Sequence, residues 1–282
     1  MTRYRFTLMT CLLLTLWFHP LHADVTLKFG VYTSDKPSTM VKKFRPALTV
    51  LESKLTAQLG EPVRISMQVA KTYEQGIADL VQGRVDFSRF GPASYVEARH
   101  RNPDISILAV ESHKGEKVFY GIICVAEDSP IDSIEDLRGT RFAFGSDRST
   151  IGRYLSQNYL LEHGLRASDL RTYDYLGRHD KVGAAVALGT FDAGALKEGT
   201  FKKLVEKGEP LRAIAKFPNV TKPWLARADM PDRVRRALRA ALLDFDDQAS
   251  LKRLKKDGFL QGEDSDYRTI RLAMEVNGSF FE

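Results

Sequence analysis

Strands and helices alternate along this 282-residue chain, and that alternation limits the folds it can adopt more than any other feature. Residues 26–32 alternate apolar and polar side chains in the manner of a strand, and residues 63–69 do the same. Between them, residues 40–59 carry apolar side chains three or four positions apart, which is the spacing of an amphipathic helix. The rhythm continues downstream and predicts an α/β fold with helices on both faces of mostly parallel sheets.

Two polar interruptions divide this rhythm into halves. The first lies at residues 111–117, and the second at residues 208–210, just before a strand predicted at 211–216. A chain that crosses twice between two α/β lobes forms a hinged clamp, with a ligand cleft between the lobes lined by strand ends and helix starts. The predicted boundaries are residues 24–112 with 213–282 for the first lobe, 117–212 for the second lobe, and 113–118 and 208–216 for the crossings.

The first 23 residues have the pattern of a secretory signal peptide. Arg3 and Arg5 precede an apolar run over residues 6–18, and Ala23 supplies a small residue for cleavage. The run is well short of the roughly 20 residues that a membrane-spanning helix needs. Because Cys11 lies inside the run rather than at its end, lipid attachment there is the less favoured alternative. We therefore expect this segment to be removed and the mature protein to work in the periplasm.

Charge and cysteine content exclude several classes of protein. The chain has a formal charge of +6, with 42 basic against 36 acidic residues. Loss of the signal peptide removes two basic residues and no acidic ones, which leaves a charge of +4. A mildly basic secreted protein fits the collection of small anions better than nucleic-acid binding. Only Cys124 remains in the mature chain, so a disulfide within the chain is impossible, and we expect no metal or other cofactor.

The segment 142–152 carries the strongest local indication of a site. An apolar strand at 142–144 leads through a polar turn into a helix predicted over 150–163. Ser149 and Thr150 stand where N-cap residues belong. Such a helix start offers free backbone N–H groups, the positive end of the helix dipole and two hydroxyls, which suit a tetrahedral oxyanion. From these residues alone, simple capping and anion binding both stay open.

Eight short pieces of the sequence, taken in order, resemble one protein family. The chain is similar to the phosphate-, phosphite- and phosphonate-binding subfamily of periplasmic substrate-binding proteins of ABC transporters, which have the type 2 periplasmic-binding-protein fold. The resemblance spans roughly residues 26–223 and implies capture of a small phosphorus oxyanion for a membrane transporter. The pieces are FGVY at 29–32, YEQGI at 73–77, VDFSRFGP at 85–92, YGI at 120–122, DLRG at 136–139, STIG at 149–152, HD at 179–180 and FDAG at 191–194.

The resemblance also implies which residues hold the ligand. Ser149 and Thr150, with the adjoining backbone N–H groups, would hold the phosphorus-bound oxygens, and His179 would donate from the start of a facing helix. Tyr120 follows the first crossing, where it would either line the cleft or pack in the core. The expected ligand-binding residues are Tyr73, Phe90, Tyr120, Ser149, Thr150, Gly152 and His179.

Tyr73 and Phe90 would line the cleft wall of the first lobe. The family often has a tyrosine at the position of Phe90, so this chain loses a possible O–H donor there. Tyr73 opens a predicted helix, and packing alone is the alternative role for it. For Phe90, core packing and cleft lining stay open side by side.

The family's aminophosphonate binders place carboxylates near the ligand's ammonium group, and this chain departs from that pattern. The corresponding positions fall near Gly199 and Lys222, although Glu198 is adjacent. An ammonium group beside Lys222 would lose solvation and meet a like charge. We therefore expect 2-aminoethylphosphonate to bind no better than methylphosphonate. Which phosphorus oxyanion binds best stays open.

Two other functions remain as alternatives to transport. Ser149, His179 and either Asp180 or Asp192 can be imagined as a hydrolase triad, but the Gly-x-Ser-x-Gly elbow is absent, and we expect no enzymatic activity. A periplasmic sensor would use the same clamp and present its closed form to a membrane receptor or kinase. The expected partner is therefore an ABC transporter permease or a sensory membrane protein. The protein itself is expected to be a monomer that binds no nucleic acid.

Overall fold

The computed structural model describes residues 24–282, which form two sheets flanked by helices. The predicted signal peptide, with its cleavage site after Ala23, lies outside the described residues. Within residues 24–282, no helix combines the length and the apolar character needed to cross a membrane. The α/β class and the two-lobed clamp predicted from the sequence are confirmed.

The first lobe is built on a sheet of six strands. They are β1 (Val25–Tyr32), β2 (Val63–Ala70), β3 (Phe87–Arg89), β4 (Ser106–Ser112), β10 (Pro223–Ala226) and β11 (Gly258–Leu260). Their spatial order is β11-β4-β10-β3-β1-β2, and β1 to β4 run in one direction while β10 and β11 run against them. The carboxyl ends of β1 to β4 therefore meet at one edge of the sheet, and Tyr32 and Arg89 lie there.

The second lobe is built on a sheet of five strands. They are β5 (Val118–Ala126), β6 (Arg141–Phe144), β7 (Thr172–Tyr175), β8 (Ala193–Lys197) and β9 (Leu211–Val220). Their order is β7-β6-β8-β5-β9, and only β5 runs against the others. The carboxyl ends of β6 and β8 bring Phe144 and Lys197 to the same edge. Most strands of each sheet run in one direction, as predicted, but the antiparallel pairs formed by β5, β10 and β11 make both sheets mixed.

The helices cover these sheets with the apolar stripes that their sequences predict. Phe44, Leu48 and Leu51 on the first helix are fully buried and pack under the first sheet. That helix ends where Gly60 adopts a left-handed conformation with φ of 69°. The helices are α1 (Pro37–Leu59), α2 (Tyr73–Val81), α3 (Pro92–Arg101), α4 (Leu155–Glu162), α5 (His179–Ala187), α6 (Glu198–Val205), α7 (Asp232–Leu243), α8 (Gln248–Leu254) and α9 (Arg268–Glu275).

The second crossing between the lobes lies later in the chain than predicted. β9 pairs with β5 along its whole length, from Leu211 to Val220, so residues 213–220 belong to the second sheet. The predicted crossing at 208–216 is therefore wrong, because the Gly-Glu-Pro break is only the turn between α6 and β9. The chain crosses at Thr221, whose backbone N–H donates to the Lys117 carbonyl of the first crossing at 2.8 Å. The two crossings thus lie side by side.

The C-terminal segment also departs from the predicted boundary. After α9, the helical turn Val276–Phe280 returns to the second lobe. Phe280 is fully buried in that lobe's core, with its ring edge-on to Phe144 at 5.8 Å. Asn277 donates to Gln157 of α4 at 2.9 Å. The chain therefore contacts the second lobe again at its C-terminal end. Burial of the large aromatic side chain of Phe280 stabilises this contact.

Two strands of the first sheet were not predicted. β10 begins with Pro223, has four residues and is buried on both sides, so it shows no alternation of apolar and polar residues. Trp224 in β10 nevertheless stands at the centre of the core, with its ring stacked on Phe29 at 4.9 Å. β11 has only three residues. Strands this short carry too little periodic signal to separate them from loops.

Candidate functional site

A small cavity lies between the lobes, at the sheet edges where the parallel strands end. Its empty volume, with the open mouth included, is about 350 Å³. No aspartate or glutamate is among its lining residues. They are Tyr32, Ser34, Tyr73, Arg89, Gly91 and Pro92 from the first lobe, Phe119, Ser149, Thr150, Ile151, His179, Lys197 and Asn219 from the second, and Lys222 from the crossing.

The helix start at Ser149 is held in place by its own capping bonds. The Ser149 hydroxyl accepts from the Gly152 N–H at 3.0 Å, and the Gly145 N–H donates to the Gly152 carbonyl at 2.8 Å. A Cβ on Gly152 would come within 2.7 Å of the Gly145 Cα, so only glycine fits there. Gly152 thus shapes the loop, and its N–H is already bonded. The first turn, Thr150–Tyr154, is a widened π-type turn that leaves the N–H groups of Thr150 and Ile151 without intrahelical acceptors.

Thr150 contacts both lobes. Its side-chain oxygen accepts from the Ala93 N–H at 2.9 Å, at the start of α3 in the first lobe. The neighbouring Gly91 N–H donates to the Tyr32 hydroxyl at 2.6 Å. The Thr150 hydroxyl keeps its own hydrogen for a ligand, because it serves Ala93 only as an acceptor. A bound anion at this point would therefore join two helix starts from opposite lobes.

Tyr73 lies at the start of α2, with its ring stacked on that of Tyr32 at 4.0 Å. Both side chains are buried and line the cavity. Burial raises the pKa of the Tyr73 phenol, and the nearby Tyr32 raises it further. Tyr73 therefore remains a neutral O–H donor at any working pH.

His179 is buried at the start of α5, where its backbone N–H donates to the Ser34 carbonyl of the first lobe at 3.4 Å. Its Nδ1 atom has no hydrogen-bond partner in the described part of the chain. Burial, and then the charge of Lys197, lower the pKa of His179 to about 3, against the opposing effect of Asp35. The imidazole is therefore neutral, with one nitrogen that donates and one that accepts.

Arg89 and Glu111 form a buried ion pair at the floor of the cavity. The Arg89 guanidinium donates to both Glu111 oxygens, at 2.7 and 2.9 Å, and Lys256 lies 3.5 Å from the same carboxylate. Burial by itself would raise the pKa of Glu111, but Arg89 and Lys256 outweigh it, so the pKa lies well below its usual range. Glu111 is fully buried and is not part of the cavity lining.

A second ion pair joins the lobes. Lys197, at the end of β8, binds Asp35 in the loop after β1, and the Thr200 hydroxyl donates to the other Asp35 oxygen at 3.2 Å. Glu198 is turned away from the cavity and pairs with Lys202 at 3.0 Å and Lys216 at 3.1 Å. The acidic side chains nearest to the cavity are therefore already engaged.

Lys222 and Asn219 complete the lining on the hinge side. The Lys222 ammonium lies 4.6 Å from the centre of the Phe119 ring. Among residues 24–282, it forms no ion pair with a carboxylate. Asn219 is buried opposite Phe119 in the β5–β9 pair, and neither polar atom of its side chain has a partner within the described residues. Unpaired polar groups of this kind favour a polar ligand.

A family model described as "ABC transporter, phosphonate, periplasmic substrate-binding protein" matches residues 29–267. This chain belongs to that family.

Similar proteins cover almost the whole of this binding protein. It is 25% identical to the probable ABC transporter phosphite binding protein PhnD1 of Prochlorococcus marinus (strain MIT 9301), over 94% of each chain. It is 24% identical to the phosphate-import protein PhnD of Mycolicibacterium smegmatis, over 90% of this chain and 86% of that one. The solved structure of P. marinus PhnD1 with methylphosphonate has the same fold, with a TM-score of 0.78 at 23% identity, and the match covers 89% of this chain and 98% of that one.

Four of the seven predicted site residues of this binding protein meet at the cavity. Tyr73, Ser149, Thr150 and His179 all line it. Gly152 supports the loop behind them, as described above. The four residues come from the starts of three helices, which the alternating fold brings to one edge.

Phe90 and Tyr120 do not reach the cavity, which corrects their predicted positions. Phe90 is fully buried behind Tyr32, with the two rings stacked at 5.4 Å. Tyr120 lies on the opposite face of β5 from the cavity-lining Phe119, and the Lys216 ammonium covers its ring at 3.9 Å. Neighbouring residues of a strand point to opposite faces of the sheet. The prediction named Tyr120, whereas its neighbour Phe119 is the residue that faces the cavity.

Proposed function

We propose that this protein captures a small phosphorus oxyanion in the periplasm and delivers it to an ABC transporter permease. The observation that carries the proposal is the composition of the cavity lining, which holds Arg89, Lys197 and Lys222 but no carboxylate. A cavity lined by basic side chains and by no carboxylates attracts an anion. The family of the chain, and relatives named for phosphite and phosphate, support phosphorus as the central atom.

The uncharged donors supply the recognition of the oxyanion. Ser149 and Thr150 each offer a hydroxyl, Tyr73 a phenol and His179 an imidazole. Hydrogen bonds to a charged group contribute roughly 1.5–3 kcal/mol each, and micromolar affinity needs about 8 kcal/mol. Four such donors therefore suffice without direct contact from a lysine.

Closure of the clamp and binding of the anion support one another. The Thr150–Ala93 bond, the His179–Ser34 bond and the Lys197–Asp35 ion pair all join the two lobes around the cavity. An anion held by donors from both lobes favours the closed form, since a ligand shifts a conformational equilibrium by its differential affinity. Opening of the lobes would separate these donors and release the anion to the permease.

The two aspartates that a hydrolase triad would draw on are paired with arginines, which supports a binding role without catalysis. The Ser149 hydroxyl caps its helix, and the Nδ1 atom of His179 has no partner among the described residues. Asp180 pairs with Arg178 at 2.9 Å, and Asp192 pairs with Arg141. Neither carboxylate is available to orient the imidazole, which the triad mechanism requires.

Calorimetric titration of the ligand-stripped mature protein tests the proposal. The ligands are phosphate, phosphite, methylphosphonate, 2-aminoethylphosphonate and sulfate, each in the same buffer at pH 7. At least one phosphorus anion is expected to bind in the micromolar range or tighter, and 2-aminoethylphosphonate no better than methylphosphonate. Tight binding of sulfate alone, or of none of the five, would contradict the proposed function. A ten-fold preference for the amino compound, about 1.4 kcal/mol, would contradict the charge argument.

A further inference from the structure

The cavity and its immediate surroundings hold more basic side chains than carboxylates within the described residues. Five basic side chains cluster here, and only two carboxylates, those of Glu111 and Asp35, lie among them. Burial, and then the charges of Arg89 and Lys197, lower the pKa of Lys222 well below its usual range, so an anion beside it would favour its charged form. The five are Lys43, Arg89, Lys197, Lys222 and Lys256.

Lys222 is the basic side chain of the cavity lining that has no carboxylate partner in the part of the chain that the structure describes. Arg89 is committed to Glu111 by two hydrogen bonds, and Lys197 is committed to Asp35. Lys222 lines the cavity and, within residues 24–282, has only the face of the Phe119 ring as its partner. An ammonium over an aromatic ring keeps hydrogens free to bond a ligand.

Asn219 provides an independent observation at the same place. Its side chain is 4% exposed, lines the cavity beside Phe119, and has no partner for either the amide nitrogen or the amide oxygen in the described chain. A buried amide without partners is costly, and such groups are ordinarily satisfied by a ligand or an ordered water. Ammonium, amide N–H and an apolar ring together suit a planar carboxylate joined to a short methylene.

We propose that Lys222, Asn219 and Phe119 form a second subsite for an anionic group on the ligand's substituent, so that the preferred ligands are short phosphonates that carry a carboxylate. The uncharged donors at Ser149, Thr150, Tyr73 and His179 bind the phosphorus end of the same molecule. Both groups of residues line one small cavity, so a ligand that contacts both is a short molecule.

This inference rests on the proposed function, and a graded set of probes separates the two. Phosphonoacetate carries the carboxylate, phosphonoacetamide is its uncharged counterpart, and methylphosphonate lacks the group. By calorimetry at pH 7 and fixed ionic strength, phosphonoacetate is expected to bind at least ten-fold more tightly than either comparison compound. If methylphosphonate binds as tightly as phosphonoacetate, the second subsite is wrong although the proposed function stands. If no phosphorus compound binds, the proposed function itself fails.

A pair of lysine variants then locates the subsite. Lys222→Gln removes the amine over Phe119. Lys216→Gln makes the same substitution at a half-exposed lysine that lies over Tyr120 and pairs with Glu198, outside the cavity lining. Lys222→Gln is expected to weaken all three ligands through the lost charge and to reduce the preference for phosphonoacetate to less than about three-fold. Lys216→Gln is expected to preserve the preference. An equal loss of affinity for all three compounds in Lys222→Gln would place the lysine at the phosphorus end and overturn the proposal.

Discussion

The cavity is lined by two sets of residues that differ in charge and in origin. The neutral set, Tyr73, Ser149, Thr150 and His179, comes from helix starts and offers hydrogen-bond donors without charge. The basic set consists of Arg89, Lys197 and Lys222, which come from strand ends and from the crossing between the lobes, and the neutral amide of Asn219 lines the cavity with them.

The difference assigns separate tasks to the two sets. Neutral donors aimed at one point recognise the shape of an oxyanion, since each bond depends on direction as well as distance. Most of the basic set is bound to its own carboxylates, so its role is to fix the interior and to set a positive potential. Only Lys222 is left to contact a ligand by charge. Substitutions in the neutral set should therefore lower ligand affinity, whereas substitutions in the paired part of the basic set should lower the stability of the fold.

The largest expected effect is the loss of stability in Arg89→Ala. This change leaves Glu111 fully buried with only Lys256 nearby, and removal of one partner from a buried pair costs about 3–5 kcal/mol. Urea denaturation of the ligand-free protein measures it, with the slope of the transition as a check on two-state behaviour. Arg101→Ala, which breaks partly exposed pairs with Glu74 and Glu97, should cost under about 1 kcal/mol. Equal losses of unfolding free energy in the two variants would show that the buried Arg89–Glu111 pair stabilises the fold no more than a partly exposed pair.

The next effect is a pH dependence of stability that comes from His179. Its pKa in the folded protein is about 3, below the ordinary value of 6.5, because of burial and the charge of Lys197. Below pH 6.5 the unfolded chain takes up a proton that the folded protein does not, so stability is full above pH 6.5 and falls as the pH drops toward 3. Between pH 7 and pH 5 the expected loss is about 2 kcal/mol.

His179→Gln isolates this contribution, because the other titrating groups are common to both proteins. Denaturation curves at pH 5, 6 and 7 should show a smaller decline for the variant than for the parent. Parallel declines would mean that the imidazole is not neutral in the folded protein. In that case the neutral set would contain a cation, and its distinction from the basic set would break down.

A smaller effect is expected for ligand affinity in the neutral set. Thr150→Ala removes a hydroxyl donor and also leaves the Ala93 N–H without its acceptor in the closed form. We expect affinity for the bound phosphorus anion to fall at least about ten-fold, or 1.4 kcal/mol, while the thermal midpoint without ligand falls by only a few degrees. Thr150→Ser keeps the hydroxyl and should retain most of the affinity. If neither Thr150→Ala nor Ser149→Ala changes ligand affinity, these two residues only cap the helix and do not bind the ligand.

The smallest expected effect separates the two faces of β5. Tyr120→Leu alters a side chain outside the cavity and should change ligand affinity by less than about two-fold, as for an ordinary surface substitution. Phe119→Leu alters the cavity wall and the ring under Lys222, and should weaken binding more. Calorimetry on both variants measures these affinities. A larger loss of affinity in Tyr120→Leu than in Phe119→Leu would show that Tyr120 belongs to the binding site.

The neutral set could be predicted from the sequence because its signals are local. Ser149 and Thr150 stand at a helix start in the printed sequence. The roles of Tyr73 and His179 came from the resemblance to the family, and both residues open helices of their own. Each signal needs only a few neighbouring residues, and the alternating fold then brings the helix starts together. Strands such as β1 and β2, with eight residues each, carried enough apolar periodicity to be recognised in the same way.

Nothing local distinguishes the members of the basic set, and Lys222 was placed near the ligand only through the resemblance to the family. Arg89 and Lys197 are ordinary charged residues in sequence, and only the strand order brings them to one cavity. Asn219 lies in the part of β9 that the predicted crossing had excluded from the second lobe. The prediction named Tyr120 instead of its neighbour Phe119, because period-two alternation does not indicate which face of a strand lines the cavity.

The most direct test of the two sets is a crystal structure of the mature protein with methylphosphonate, a ligand that has no second charged group. The phosphorus-bound oxygens should lie within hydrogen-bonding distance of the Ser149 and Thr150 hydroxyls and of Tyr73, with the methyl group toward Phe119. A phosphorus atom bound instead by Lys222 and Asn219, with the hydroxyls of the helix start unoccupied, would contradict the division of the cavity into a neutral recognition set and a basic set.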